Sequence, residues 1–337
     1  MSKAAELAAL IGSQTALSNR NLIINGAMQV AQRGTSHTYN NNESGYDTID
    51  RIFSAAFVTG GSLTISQQTA NYSGVDAEYF LRATPSGSVS AGSATIYSEY
   101  RVEDVISVSN KTFTLSFDAK AASNLTFQFR RRQYYGSGGS TEEYSSFSDI
   151  SVTTSWQRKT ITFTIPDLSG KTIGSGSFLS LFFYWSTHQG SDNLNDAAID
   201  ITNLQLEVGE QATPFEHRSF ADELARCQRY LYRIETDTTS GGFVNLTGWD
   251  SNNTYGPLRY PVKMRAAPSL STGAAMSDFL ILSNGANPTP TGIGNNGSSS
   301  QMMELNVQST SNITGGRSYW MRLVDTSNGF MQFDAEL

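Results

Sequence analysis

The chain has 337 residues, of which 38% are hydrophobic, 11% aromatic and only 16% charged. It is long enough for two ordinary domains, and too aromatic and too weakly charged for a disordered chain. The formal net charge of −7 at pH 7 repels phosphate backbones and argues against nucleic acid as a partner, since the one basic run, Arg130 to Arg132, is too short to reverse it.

The first residues, MSKAAELAALIG, place a Glu inside the apolar run and do not read as a signal peptide. Within them Ala4, Leu7, Ala8 and Ile11 fall at i, i+3, i+4 and i+7, which predicts a helix over residues 3–12 stopped by Gly12. An isolated helix needs roughly 12–15 residues to be stable in water. This one must therefore pack its apolar face on its own domain, on a partner or on a sister chain. No later stretch approaches the roughly 18 apolar residues of a membrane-spanning helix, so membrane insertion is not expected.

From Asn21 to Glu216 the period is two. Phe113, Leu115 and Phe117 alternate with polar neighbours, as do Leu125, Phe127 and Phe129, and again Ile161, Phe163 and Ile165. Each run predicts a half-buried strand. Phe178 to Trp185 loses the alternation in its second half, as in a central strand covered on both sides. In IDITNLQLEV (199–208) the apolar parity switches from Ile199 and Ile201 to Leu204, Leu206 and Val208, which predicts a β-bulge. NLIINGAM (21–28) reads as the first strand of the same unit, paired with this last one so that the domain's ends meet. Gly/Ser-rich turns between such strands predict a two-sheet jelly-roll sandwich.

The pattern changes near Ser219. Asp222 follows it by three residues, as in a capping box, and Phe220, Leu224, Cys227 and Leu231 share one side of a helix of about three turns. Ile234 to Trp249 and Pro257 to Met264 read as strands again. Residues 283–300, SNGANPTPTGIGNNGSSS, read as a long low-complexity loop. Strands at 318–325 and 329–337, around a turn at 326–329, close the chain. The expected fold class is all-β: an N-terminal short helix (1–20), a jelly-roll β-sandwich (21–217), and a smaller β-rich domain begun by one helix (218–337). No internal repeat of solenoid period is visible. The single cysteine, Cys227, excludes an intramolecular disulfide, and points to synthesis in a reducing cytoplasm with stability drawn from packing or oligomerisation.

Several segments resemble a family of phage tail-fibre and minor tail proteins, some of them carbohydrate-binding-like. They are NLIINGAMQVAQRG (21–34), YDTIDR (46–51), LQLEVGEQATPFEHRSFADELARCQRYLYR (204–233), RYPVKMRAAPSLS (259–271) and the closing FDAEL. The ATPFE…EL…CQRY run is the most specific. The sequence departs from the family at Ile52, where members often carry Trp after the YxxDR motif. The resemblance implies a galactose-binding-like jelly roll followed by a small second β-domain. It also implies a fibre that is usually a homotrimer, with a place in the virion, attachment to other tail proteins and a part in host attachment. It brings no invariant functional residues with it.

The residues point to no reaction centre. His37, His188 and His217 are scattered and form no zinc ligand set, and no GxSxG elbow, P-loop or GxGxxG motif occurs. Glycan cleavage needs two carboxylates about 5–10 Å apart. The candidates are Asp47 with Asp50, Glu99 with Glu103 and Asp104, Glu142 with Glu143, and Asp192 with Asp196, each of which also reads as a turn former or a solvent-facing charge. Asp50 and Arg51 read as a salt bridge or turn lock. Asp192, Asn193, Asn195, Asp196 and Asp200 offer oxygen ligands for calcium, but such clusters more often bond their own backbone; no metal and no cofactor is expected. For sugar recognition the useful groups are aromatic faces flanked by amides and carboxylates. Two segments carry them. Residues 130–147 bring Tyr134, Tyr135 and Tyr144 together with Arg130 to Arg132, Glu142 and Glu143, as one Gly-rich loop. Residues 247–256 bring Trp249 and Tyr255 with Asp250, Asn252 and Asn253.

The reading is a non-enzymatic virion structural protein, a phage tail fibre or receptor-binding appendage that binds host-surface glycan. It is made in the bacterial host cytoplasm and assembles as a homotrimer, with the N-terminal helix joining it to other tail proteins. The alternatives are a capsid-decorating protein and a polysaccharide-cleaving depolymerase.

Overall fold

The computed structural model describes residues 19–58, 60–87, 95–185, 197–235, 242–273, 275–283, 287–310, 312–324 and 329–337. The helix expected at 3–12, His188, most of the Asp/Asn cluster at 191–200 and most of the turn at 326–329 lie outside these residues. The chain divides into two units, Met1–Leu224 with Leu337, and Ala225–Glu336.

The first unit holds β1 (Ser36–Asn40), β2 (Glu43–Gly45), β3 (Ile52–Phe57), β4 (Ser62–Thr69), β5 (Tyr79–Ser86), β6 (Thr95–Glu103) and β7 (Lys111–Ala121). It continues with β8 (Leu125–Tyr134), β9 (Glu143–Tyr144), β10 (Ser148–Val152), β11 (Gln157–Ile165), β12 (Phe178–Tyr184) and β13 (Ile199–Val208). They build two antiparallel sheets, in the orders β1-β4-β5-β13-β7-β11 and β10-β8-β12-β6-β3-β2, with β9 beside β8. From β5 on, successive strands mostly cross from one sheet to the other, the winding of a jelly-roll sandwich. The alternating residues meet between the sheets. Phe117 of β7 packs edge-on against Phe183 of β12 at 5.4 Å and lies 6.4 Å from Phe127 of β8. Each such ring taken out of water contributes about 1.5–3 kcal/mol.

Two local expectations hold. Every residue of β12, which lies between β6 and β8, is buried: Phe183 packs on Phe117 and Phe127 on one face, while Tyr97, Tyr144 and Phe147 lie against Phe182 and Tyr184 on the other. The parity switch in β13 is a register shift between Thr202 and Gln205, with Asn203 at φ 53°. One does not hold: residues 21–28 form no strand. Asn21 replaces the ladder with its side chain, accepting from the Ile23 and Leu206 N–H groups and donating to the Leu204 carbonyl. Asn25 and Met28, both at positive φ, then turn the chain. The segment still runs beside β13 through the bonds from Leu22 N to Leu206 O and from Leu204 N to Gly26 O.

The division between the units falls within α1 (Phe220–Gln228), where Ser219 Oγ accepts from the Asp222 N–H at 3.2 Å. The helix is shorter than its apolar spacing suggested, since Leu231 already opens a strand.

The second unit holds β14 (Leu231–Ile234), β15 (Gly242–Gly248), β16 (Asn253–Arg259), β17 (Ser269–Thr272) and β18 (Phe279–Leu282). After them come β19 (Pro290–Ser298), β20 (Met302–Ser309), β21 (Ser318–Leu323) and β22 (Met331–Asp334). They form a small sheet, β14-β22-β17, and a larger one, β18-β21-β15-β16-β20-β19. The residues expected as a loop at 283–300 include β19. Its Gly and Asn residues are poor strand formers, but β20 supplies the ladder, with register slips at Pro290/Gly292 and Asn295/Gly297. At the sheet's edge Pro and Gly are tolerated.

Candidate functional site

The segment 130–147 is not one projecting loop. Arg130, Arg131, Arg132 and Tyr134 belong to β8, and Tyr144 to β9. Tyr134 packs on Phe178 at 4.8 Å. Tyr135 is fully buried and donates its hydroxyl proton to Glu143 at 2.8 Å. Burial first, and that bond second, push its pKa up. It presents no ring face to solvent. Hydrogen bonds from Lys171 and then from Tyr135 hold the Glu143 carboxyl below its ordinary range. Tyr144 alone of the three is exposed, with the Arg130 guanidinium 4.0 Å from its ring centre and its hydroxyl on Glu142 at 2.7 Å. Beneath it Glu99, 1% exposed, accepts from Arg101 at 2.8 Å, from Arg132 at 2.9 Å and from Ser180. Arg130 and Arg132, which looked like recognition groups, are therefore engaged within the sheet. Buried charges persist where they are paired in this way.

Several other described carboxylates and imidazoles also have partners. Asp50 accepts from the Gln32 backbone at 2.7 Å, and Asp104 from the Ile106 N–H at 2.9 Å. Asp200 is held by Arg82 at 2.7 and 2.9 Å. His37 pairs with Glu43 at 2.8 Å and His217 with Asp76 at 3.1 Å. Asp192 and Asp196 lie outside the described residues. Among the described residues no group of three or more His, Cys, Asp or Glu is placed to hold a metal ion.

The second segment builds a cleft. Residues 247–256 form a β-hairpin, in which Thr247 pairs with Tyr255 and Gly248 with Thr254. Asp250 locks the tip: it accepts from the N–H groups of Asn252 and Asn253 at 2.7 and 2.8 Å and from the Asn253 side chain. These bonds, the Asn252 N–H foremost, hold its carboxyl below the ordinary range. Asn252 reaches the Ser309 and Thr310 carbonyls at 3.1 and 2.9 Å. Gly248 is required here, since a Cβ would lie 2.1 Å from the Thr314 carbonyl oxygen. Asp250, Asn252 and Asn253 thus shape the turn.

That turn presents Trp249, 75% exposed, at right angles to Tyr255, with ring centres 6.1 Å apart and planes at 84°. Trp249, Tyr255, Asn296 and Glu304 line a cleft of about 390 Å³. The Asn296 amide donates to Glu304 at 2.5 Å. Asn306 donates to the Tyr255 hydroxyl at 3.3 Å and steadies its ring from below. Sequence reasoning finds Trp249 and Tyr255 and misses Asn296 and Glu304, because strand register assembles them: Tyr255 pairs with Asn306, Pro257 with Glu304, and Glu304 with Gly297. The outward parity of Glu304, Asn306 and Gln308 was the available signal. Chemically the cleft offers two π faces, negative at their centres, beside an amide and a carboxylate. It suits a ligand with polarised C–H bonds on one side and hydroxyls on the other.

No family model and no curated protein matches the chain. Among solved structures it is similar to a family 11 carbohydrate-binding module from Clostridium thermocellum in complex with a mixed-linked tetrasaccharide. That match has 14% identity and a TM-score of 0.34, and covers 53% of this chain and 98% of that one. It is also similar to the CBM22-2 xylan-binding domain of Paenibacillus barcinonensis Xyn10C, at 12% identity and a TM-score of 0.32, covering 51% of this chain and 99% of that one. A third is the enzymatically active domain of tailspike protein 4 of bacteriophage CBA120, at 12% identity and a TM-score of 0.33. It covers 56% of this chain but 21% of that one.

Proposed function

We propose that the chain is a non-catalytic adhesive protein of a phage tail appendage, a homotrimer in the virion, which holds a host-surface glycan at the Trp249 cleft. The observation that carries this reading is Trp249 itself: a large ring left 75% exposed on a turn restrained by the hydrogen bonds of Asp250 and Asn252 and by the ladder between Thr247–Gly248 and Thr254–Tyr255, beside a second aromatic face. Aromatic residues of this kind anchor ligands when a partner covers them, and a preformed turn lowers the cost of binding. The tail-fibre resemblance of residues 204–233 supports the location. The ion pairs of Glu99 and Glu142 support a structural role for the carboxylates that a glycosidase would need free.

The test is a glycan array and a host-cell binding assay with the full chain, beside its sedimentation mass and antibody labelling of virions. Trp249→Ala should lower array signal at least about tenfold, with an unchanged circular dichroism spectrum, as for the loss of a binding anchor. The mass should be three times 36.6 kDa, and the label should decorate tails. Failure of the unaltered protein to bind any glycan or cell would refute the adhesive reading, and label on heads alone would refute the tail.

A further inference from the structure

The face of the larger sheet that carries the cleft continues beyond it. Val244, Leu246, Leu258, Met303, Leu305, Val307 and Met321 point into the second unit's core, so their neighbours point the other way. Across that outer face Trp320 of β21 stands opposite Asn245 of β15, Tyr255 of β16 opposite Asn306 of β20, and Pro257 opposite Glu304. Asn245, Thr247, Pro257 and Glu304 are exposed, and Trp320 is 44% exposed. Trp320 leans toward Gly242, where a Cβ would lie 3.0 Å from its Cδ1, and so away from the hairpin tip. From Asn245 to Trp249, just past the end of β15, are four extended steps, about 13 Å at about 3.3 Å per residue. One sheet thus shows two tryptophans, about 13 Å apart along the strand, with Asn245, Thr247 and Pro257 between them.

We propose that this face is a track for a linear oligosaccharide: one unit seated uncharged in the Trp249–Tyr255 cleft, and a later unit stacked on Trp320. The inference rests on the glycan reading and deepens it, from a glycan cleft to a site for a linear chain. The separation of the two indoles exceeds what one sugar ring can bridge, so a monosaccharide can use only one of them. The floor between is low and bears amide and hydroxyl groups, which accept and donate hydrogen bonds along an extended chain. Among the described residues the cleft's one ionisable lining group besides Tyr255 is Glu304, with Asp250 at the tip of the hairpin that carries Trp249 and Tyr255, so a uronic or sialic acid there would meet like charge. Arg259 and Arg322 lie one pair of residues further along the same face, toward the Trp320 end.

The experiment titrates the full chain with glucose, mannose and galactose, with neutral tetrasaccharides of each, and with tetragalacturonic acid, following tryptophan fluorescence and heat. At least one neutral tetrasaccharide should bind at least about 30-fold more tightly than its monosaccharide. Trp320→Ala should lower the tetrasaccharide affinity at least about tenfold, consistent with one stacking anchor, and leave the monosaccharide unchanged, while Trp320→Phe restores part of the loss. Trp249→Ala should remove both. If Trp320→Ala changes nothing, or tetragalacturonate binds as well as its neutral counterpart, while Trp249→Ala still abolishes binding, the track is wrong and the adhesive reading stands. If no sugar binds, both fall.

Discussion

The turn that carries Trp249 is held still. The Asp250 carboxylate gathers the N–H groups of Asn252 and Asn253 under the indole, and those bonds depress its pKa. A depressed carboxyl contributes its lock fully above the ordinary Asp value of about 3.9, and loses it as pH falls through the lower folded value. The Trp249 indole resonance should therefore keep its folded position at pH 3.9 and shift with a midpoint below about that pH; a midpoint above it contradicts the lock. Asp250→Ala should weaken glycan binding roughly 2–10-fold, the cost of ordering a freed side chain and turn, with little change in melting temperature. The two aromatic residues of this site were legible in the sequence, because Trp, Asp, Asn and Tyr stand within one short segment. Asn296 and Glu304 were not, since they come from strands 40 to 55 residues away and only register brings them close. Tyr135 misled for the opposite reason: its Gly-rich surroundings look exposed, while its hydroxyl finds Glu143 and its ring the interior.

At the scale of the element, β13 shows what a parity switch encodes. Asn203 takes φ 53° and is 1% exposed. Its amide donates to the Asp76 carbonyl at 3.0 Å and to Asp118 at 2.8 Å, and its own carbonyl accepts from Arg158 at 2.9 Å. Asn203→Ala takes a donor from the part-buried Asp76 carbonyl and from Asp118, about 0.5–1.5 kcal/mol each, and leaves in the left-handed region a residue that lacks the short polar side chain with which Asn tolerates it, about 1–2 kcal/mol. At roughly 2–4 °C per kcal/mol for a domain of this size, thermal denaturation should show a fall of several degrees. Asn203→Gly should fall less, and equal losses would remove backbone strain from the account. The bulge and the doubly covered β12 were readable because apolar parity reports which face is buried. β19 was not, because its Gly and Asn residues carry no apolar period and only the ladder to β20 makes it a strand. Residues 21–28 carry the period of a strand, yet Asn21 bonds β13 with its side chain where a ladder was expected.

At the scale of the molecule, the all-β class was the most legible feature, since it sums many short alternations and no single one decides it. The physical consequence is two apolar clusters, each assembled from its own sheets. In the first, Phe127 contacts Phe117, Phe183 and Trp185, with ring centres 5.5 to 6.4 Å apart. In the second, Phe279 and Ile281 of β18 pack with Met321 and Leu323 of β21. Both phenylalanines are fully buried, so truncating either to Ala costs about 3–5 kcal/mol. That is a large share of the about 5–15 kcal/mol that holds a domain folded. A cluster built from one unit's residues passes its loss first to the strands that line it, because opening is local before it is global. Amide exchange should therefore rise through β1 to β13 in Phe127→Ala and through β14 to β22 in Phe279→Ala. Glycan binding at Trp249 should survive the first change and weaken in the second, because β15, β16 and β20 position the cleft and also line that core. Loss of binding in Phe127→Ala, with exchange in β15 and β16 unchanged, would place the ligand away from Trp249 and on the first unit, where Tyr144 is the exposed aromatic of β9.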